Sequence, residues 1–417
     1  MPKILIVCDV YPPSFAPRMG YLVKYMKEWG WEADVLTRIH DGDFSFESLR
    51  GNTTILRADQ CTYDPNRFWG KLQNVFGKKK QYRCNRDKLF HLGREQVDPG
   101  KYSFILCSTA HRIFVLEAAH LLAKAWKKPL IADLRDLAEQ KPKLDSPYQG
   151  LKKIVFEKTQ ENFSEWVLRK RNKIFSKTDC LITVSPWHQE IVRKYNQNTH
   201  LIYNGFDPEN YYPVPPERNE VFRIVYTGTT LPGCHDPTLL FKATGNLDRQ
   251  QVIDPDSFRL DFYVPSNWRR TITSNEYFSR VEKYVSFFDY IDTSEVPALL
   301  RSASLLLLLS NKMTSDGPKG LISTTKYFEY LAVERPILCV RSDESLLEAS
   351  IKEANAGVAA RTVAETRDFI LEKWREWREK GYTTVRVNRA YTQQFSRKKQ
   401  AGQFVRLFEQ VLQAHQP

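Results

Sequence analysis

The residues best equipped for chemistry stand between 317 and 338, in the run GPKGLISTTKYFEYLAVERPIL. A glycine-rich loop that opens a helix presents free backbone amides and the positive end of the helix dipole, an arrangement that favours a diphosphate. Ser323, Thr324 and Thr325 supply hydroxyl donors and helix caps, and Lys326 supplies a cation. Glu329, one turn beyond Thr325, offers a carboxylate to the two hydroxyls of a ribose. The bland alternative for Lys326 and Glu329 is an exposed i,i+3 ion pair; the glycines before them weigh against it. A second anion-friendly turn is Tyr226-Thr-Gly-Thr-Thr230. There Gly228 lets the backbone approach a phosphate closely, and Thr229 adds a donor.

The first half of the chain holds three further candidates. Residues 11–20, YPPSFAPRMG, set Arg18 at the start of a predicted helix, which reads as an anion site or as a rigid proline turn with a surface arginine. Asp133-Leu-Arg-Asp136 ends an apolar run with dense charge. Such a cluster is an internal ion-pair network or a polar site facing a cleft, and its place at a strand end favours the site. His111 follows another apolar run, where a histidine serves either structure or acid–base chemistry.

Those loops need scaffolds to carry them. Short apolar or β-branched runs alternate with helical patterns throughout, the signature of parallel sheets with crossover helices. The spacing predicts strands at 3–8, 32–36, 54–57, 104–107, 129–133, 180–184 and 200–202, with helices at 18–29 and 113–126 among them. After a proline-rich stretch at 208–216, strands are predicted again at 222–226, 260–263, 285–288, 305–309 and 336–340. The expected layout is a first doubly wound domain at 1–207, a linker at 208–220 and a second doubly wound domain at 221–387. The segment 388–417 is either the last helix of the second domain or a helix that returns to the first. In such sheets ligands bind beyond the carboxyl ends of the strands, which is where every candidate above lies.

Composition narrows the classes. With 42% hydrophobic and 13% aromatic residues, the 417-residue chain has apolar material for two large cores, which excludes a disordered or fibrous protein. Its longest purely apolar run, 305–309, falls far short of the roughly 20 residues that cross a bilayer. The opening MPKILIVCDVYPP reads as a first strand, without the cleavage site of a secretory signal. Seven scattered cysteines lack the spacing of a zinc site or a disulfide framework, so reduced thiols and a cytoplasmic location are expected. The net charge of +13 draws anions without choosing among them. Its distribution says more: basic and aromatic residues interleave from Arg67 to Arg94, including Lys78, Lys79, Lys80, Tyr82 and Phe90, and a second basic stretch runs from Arg169 to Lys173. That composition suits the face of an anionic bilayer or a plain solvated surface, and nucleic acid ranks below both.

The run TKYFEYLA at 325–332, followed by RPIL at 335–338, resembles the donor-binding signature of GT-B glycosyltransferases of the family 4 kind. Tyr11-Pro-Pro13, Asp133-Leu-Arg-Asp136, Cys180-Leu-Ile-Thr-Val-Ser185, Ile202-Tyr-Asn-Gly-Phe-Asp207 and Tyr226-Thr-Gly228 follow the order of that family. The resemblance implies a GT-B architecture, two Rossmann-like α/β domains facing across a cleft. It also implies a retaining, metal-independent hexosyltransferase without a cofactor, acting between a nucleotide sugar, UDP-linked as the commonest choice, and a saccharide or lipid-linked acceptor. Such chemistry fits surface polysaccharide assembly at the inner face of a membrane. On that basis Glu329 holds the ribose, and Gly228, Thr229, Ser323, Thr324, Thr325 and Lys326 the diphosphate. Asp136, Arg135 and His111 serve the reaction centre, and Arg18 and Asp133 line the acceptor side. Two departures stand out. Leu321 replaces a second glutamate that holds the donor sugar, and 231–236 offers only His235 where an arginine and a lysine are usual, leaving Lys319, Lys326 or Arg269 as substitutes. The rival readings are a sugar-nucleotide epimerase of the same architecture and a noncatalytic nucleotide- or polysaccharide-binding protein.

Overall fold

The computed structural model describes residues 1–417 except 15, 40–45, 52, 62–67, 141–148, 231–233, 290, 311–321, 323, 341–345 and 416–417, and not the side chains of 47, 68–76, 140 and 152. Two compact units divide the chain: Met1–Tyr203 with Gln400–Pro417, and Asn204–Lys399.

In the first unit, strands β1 (Lys3–Cys8), β2 (Glu32–Arg38), β3 (Ile55–Ala58), β4 (Ile105–Thr109), β5 (Leu130–Leu134), β6 (Cys180–Thr183) and β7 (Thr199–Leu201) form one parallel sheet. Their order is β3-β2-β1-β4-β5-β6-β7. Strands β4, β5 and β6 are buried along their whole length, covered on both faces by helices. That is why they appear in the sequence as largely apolar runs and not as alternating ones. The helices are α1 (Pro17–Met26), α2 (Phe68–Gln96), α3 (Ile113–Trp126), α4 (Leu151–Phe175) and α5 (Pro186–Arg193).

The second unit repeats the plan with β8 (Phe222–Thr227), β9 (Phe258–Tyr263), β10 (Val285–Phe288), β11 (Leu305–Leu309), β12 (Ile337–Val340) and β13 (Gly357–Ala360), in the order β10-β9-β8-β11-β12-β13. Its helices are α6 (Thr238–Arg249), α7 (Arg270–Thr273), α8 (Val296–Ser302), α9 (Lys326–Val333), α10 (Leu346–Glu353), α11 (Val363–Lys380) and α12 (Arg389–Thr392). Strand β13 has no counterpart among the predicted strands. A Cβ on its Gly357 would meet the backbone oxygen of Ile337 at 2.0 Å, so the strand begins with the one residue that carries no strand propensity.

The helical pattern at 388–413 is not continuous. Helix α12 gives way to a turn at Gln393–Phe395 before α13 (Arg397–Ala414) begins. From Gln400 onward α13 belongs to the first unit, where Phe408 packs on Phe104 and Trp31 with ring centroids 4.8 and 5.5 Å apart.

Cysteine pairing departs from expectation. Cys61, just after β3, and Cys84, on α2, form a disulfide, whereas Cys8, Cys107, Cys180 and Cys339 are free and buried as their apolar surroundings suggest. The folded path of α2 joins two residues 23 positions apart whose spacing matches no framework pattern. No helix among the described residues is long and apolar enough to cross a membrane.

Candidate functional site

Both sheets reverse direction of strand order once, between β1 and β4 in the first unit and between β8 and β11 in the second. Such switch points open a crevice at the carboxyl ends of the strands. Gly228 follows β8 directly, and the segment after β11 leads to the start of α9 at Lys326. The two motifs that the sequence presents a hundred residues apart therefore leave adjacent strands at this point.

They touch. Gly228 has φ of 99°, and a Cβ built on it would lie 2.6 Å from Cε and 2.9 Å from Nζ of Lys326. The lysine occupies the space that glycine leaves. Its Nζ donates to Tyr226 Oη at 3.2 Å and lies 4.6 Å from the centre of the tyrosine ring. Tyr226 Oη in turn donates to the carbonyl of Thr229 at 2.8 Å. Burial pushes the Lys326 ammonium down to about 8, against the opposing pull of Glu329. Lys326 is thus directed into the turn after β8 instead of pairing outward along its own helix.

Thr325 stands at the position before α9 in helical backbone and makes no side-chain cap, contrary to the capping role expected of it. Its hydroxyl is exposed and Thr324 is partly buried. Ser323, Lys319 and Leu321 lie outside the described residues. Thr229 is exposed beside Gly228, while Thr230 is buried with its hydroxyl bonded to the Trp268 carbonyl at 2.7 Å. Arg269 is engaged elsewhere, ion-paired to Asp289 at 2.5 Å.

Glu329 faces three groups, of which sequence reading named only Lys326. Arg397, at the start of α13, and the Tyr211 hydroxyl both act on its carboxylate in favour of the ionised form. Burial pushes Glu329 up to about 7, opposed by the two cations and the tyrosine. Arg397 is placed by the backbone: its amide donates to the Phe206 carbonyl at 2.9 Å, and the Phe206 amide donates to Phe395 at 3.0 Å. Residues 204–207 and 395–397 are thereby sewn together. Tyr211 sits in the proline-rich stretch at 208–216 and Arg397 in the amphipathic pattern at 388–413, so neither carries a recognisable sequence signal.

In the first unit the structure separates the candidates into two groups. Arg18 and Asp133 meet as a buried pair, 3% and 0% exposed, with Arg18 Nη2 and Nε 2.8 to 3.1 Å from the carboxylate. Arg18 also donates to the carbonyls of Tyr203 (2.7 Å) and Ile202 (3.0 Å), and Ser108 Oγ donates to Asp133 at 3.2 Å. Of the alternatives open in the sequence, this geometry is the internal ion pair. Every edge of the guanidinium is occupied, which leaves no anion site there.

Arg135 and Asp136 follow β5 and are partly exposed. The Arg135 Nε is buried without a hydrogen-bond partner. Its charge reaches Cys8, at the end of β1, and Cys107, within β4. The Arg135 amide donates to the Thr109 carbonyl at 3.0 Å, which ties the residue to the end of β4. Exposed His111 follows β4, next to Arg112. Asp9, just past β1, pairs with Arg112 at 2.8 Å and with Arg38 at 2.5 Å, a cluster without a sequence signature because its members come from the end of β2 and from the segments after β1 and β4. The loop carrying Asp136 is held from behind. Glu139 accepts two bonds, 2.6 and 2.7 Å, from Arg171 of α4, which is 1% exposed. Buried His188 lies near Asp136 and Glu139, and burial pushes it down to about 4, so it is neutral near pH 7. No group of three or more His, Cys, Asp or Glu side chains among the described residues is placed to hold a metal ion.

No family model matches the sequence, and no curated protein does. Solved structures do match along its whole length. Sucrose-phosphate synthase from Thermosynechococcus elongatus covers 99% of this chain and 100% of its own at 15% identity, with a TM-score of 0.58. HepE of Anabaena in complex with UDP and glucose covers 98% and 100% at 13% identity and 0.58. The lipopolysaccharide outer core galactosyltransferase WaaB covers 99% and 100% at 10% identity and 0.53. The chain has the GT-B fold. Within each GT-B unit the parallel sheet and its single reversal of order follow the plan that the resemblance implied.

Proposed function

We propose that this chain is a glycosyltransferase that takes a sugar from a UDP-linked donor and passes it, with retention and without a metal, to a saccharide or lipid-linked saccharide acceptor. The observation that carries this reading is the contact between Gly228 and Lys326 at the switch point of the second sheet. It brings a close-approach turn, a helix start and a desolvated lysine to one place, which together suit a diphosphate. HepE, a neighbour in fold, was solved with UDP and with UDP-glucose. Here Gly228, Thr229, Ser323, Thr324, Thr325 and Lys326 would take the diphosphate, and Glu329, oriented by Tyr211 and Arg397, the ribose.

The chemistry asked of the protein is electrostatic. As the glycosidic bond to the diphosphate breaks, negative charge grows on the leaving oxygens. The amides at the start of α9 and the Lys326 ammonium are fixed before the reaction and need not reorganise to meet it. Arg135, with a buried donor left open, Asp136 and His111 are assigned to the reaction centre. Arg18 and Asp133 hold the floor beneath them. An acceptor on a lipid calls for peripheral contact with an anionic membrane, in keeping with the net charge of +13.

The test is thermal stabilisation by a panel of nucleoside diphosphates and nucleotide sugars, on the wild type and on Glu329→Ala. A shift with UDP or a UDP-sugar that vanishes in the variant is the expected result. No shift with any nucleotide at saturating concentration would remove the transferase reading and leave a noncatalytic binding protein.

A further inference from the structure

The two basic stretches of the sequence come together in the first unit, where α2 packs against α4. Between them is a cavity of about 510 Å³ lined by Lys79 of α2 and by Asn162, Trp166, Arg169, Lys170 and Lys173 of α4. The Trp166 ring is its platform, with Lys79 Nζ 5.4 Å and Lys170 Nζ 5.0 Å from the ring centre. Tyr82 supports the ring edge-on at 5.0 Å. Lys170 pairs with Glu117 at 2.6 Å, a carboxylate that it shares with Arg86, and Arg169 is loosely paired to Glu165 at 3.2 Å. Lys79 and Lys173 have no carboxylate partner among the described residues, so the cavity keeps a net positive charge.

The same helix continues this surface with apolar groups. Leu151, Val155, Asn162, Trp166, Arg169 and Lys173 recur at separations of three, four or seven, and so share one side of α4. Leu151 is 81% exposed, and Ile154 and Val155 are each 60% exposed. Large aliphatic groups so open to water, in line with an aromatic ring and unpaired cations, match the layers of a bilayer edge: acyl carbon, interfacial ring, phosphate.

We propose that the cavity between α2 and α4 takes the phosphate head groups of anionic phospholipids, with Leu151, Ile154 and Val155 entering the bilayer beside it. This builds on the proposed membrane contact but is independent of the donor site. It also moves the contact: of the stretch from Arg67 to Arg94, only Lys79 lines the cavity, and Lys78 is turned to Gln160 on α4 at 2.6 Å. Arg67 and the side chains of Phe68, Trp69, Lys71 and Phe76 lie outside the described residues.

The experiment is co-sedimentation of the full chain with vesicles of phosphatidylcholine alone or mixed with phosphatidylglycerol. It compares the wild type with Lys79→Ala/Lys173→Ala and with Leu151→Ser/Val155→Ser, after checking that each variant keeps the wild-type unfolding midpoint. Wild-type binding that requires phosphatidylglycerol, falls roughly thirtyfold in the double lysine variant, and falls also in the double serine variant supports the proposal. If the wild type binds and neither variant differs from it, the contact lies elsewhere on the protein and the site is wrong. A wild type that stays in the supernatant overturns the membrane contact as well. Inorganic phosphate or pyrophosphate that stabilises the wild type through Lys79 and Lys173, with no vesicle binding, would make this a site for a free anion and would also overturn it.

Discussion

The Cβ that Gly228 lacks would stand 2.6 Å from Cε of Lys326, so the backbone turn after β8 and the first side chain of α9 share one small volume. Because the obstructing atoms are the far end of a flexible side chain, a substitution here should displace the lysine more than it strains the fold. Gly228→Ala is expected to lose about 1 to 2 kcal/mol of stability, chiefly from the positive φ that alanine disfavours. Donor affinity should fall more steeply, at least tenfold, in calorimetric titration. In Gly228→Ala/Lys326→Ala the two losses of affinity should not add, since one acts through the other.

Nucleotide binding should be confined to a narrow pH window. A diphosphate needs Lys326 charged and a ribose needs Glu329 ionised, and burial sets these at about 8 and about 7. Affinity measured from pH 5 to 10 should therefore peak between the two values and fall by up to about tenfold per unit on either side. Lys326→Met should abolish the alkaline limb and Glu329→Gln the acid limb, each at reduced affinity.

The same two groups leave opposite marks on stability. Glu329, raised in the fold, stabilises it when protonated, a contribution lost as pH rises through about 7. Lys326, lowered in the fold, is held charged at a cost that disappears as pH rises through about 8. Denaturant midpoints of Lys326→Met should lack the second feature and keep the first.

Asp133 carries a load within the first unit, whereas the proposed nucleotide site belongs to the second. Asp133→Ala strands the Arg18 guanidinium, 3% exposed, without its carboxylate. Losses for removing one partner of a buried pair are about 3 to 5 kcal/mol. The unfolding midpoint should drop accordingly, while the folded fraction binds nucleotide as the wild type does.

Cys61 and Cys84 close a loop of 23 residues that fastens the middle of α2 to the segment just after β3. Closing a loop of that size stabilises a protein by about 3 kcal/mol in the chain-entropy picture. Wild type under oxidising conditions should exceed Cys61→Ser/Cys84→Ser by roughly that amount in denaturant titration, and the difference should vanish in a reductant.

The sequence alone determined the scaffold and the kinds of chemistry it carries. Parallel strands buried on both faces are largely apolar runs, so β1, β5, β8 and β11 are visible by inspection, and glycines of the kind that would let backbone approach an anion stand out at 228 and at 317–320. Strand β13 was hidden because its opening glycine answers to one neighbouring carbonyl and not to any strand preference. Only the tertiary structure decided the pairings: that Lys326 fills the place beside Gly228, that Arg18 is consumed by Asp133, that Tyr211 and Arg397 frame Glu329, and that Cys61 finds Cys84. Each joins elements whose adjacency depends on the order of strands in a sheet or the path of a helix over it. Side-chain periodicity reports which face of an element is buried, and it is blind to which element lies against that face.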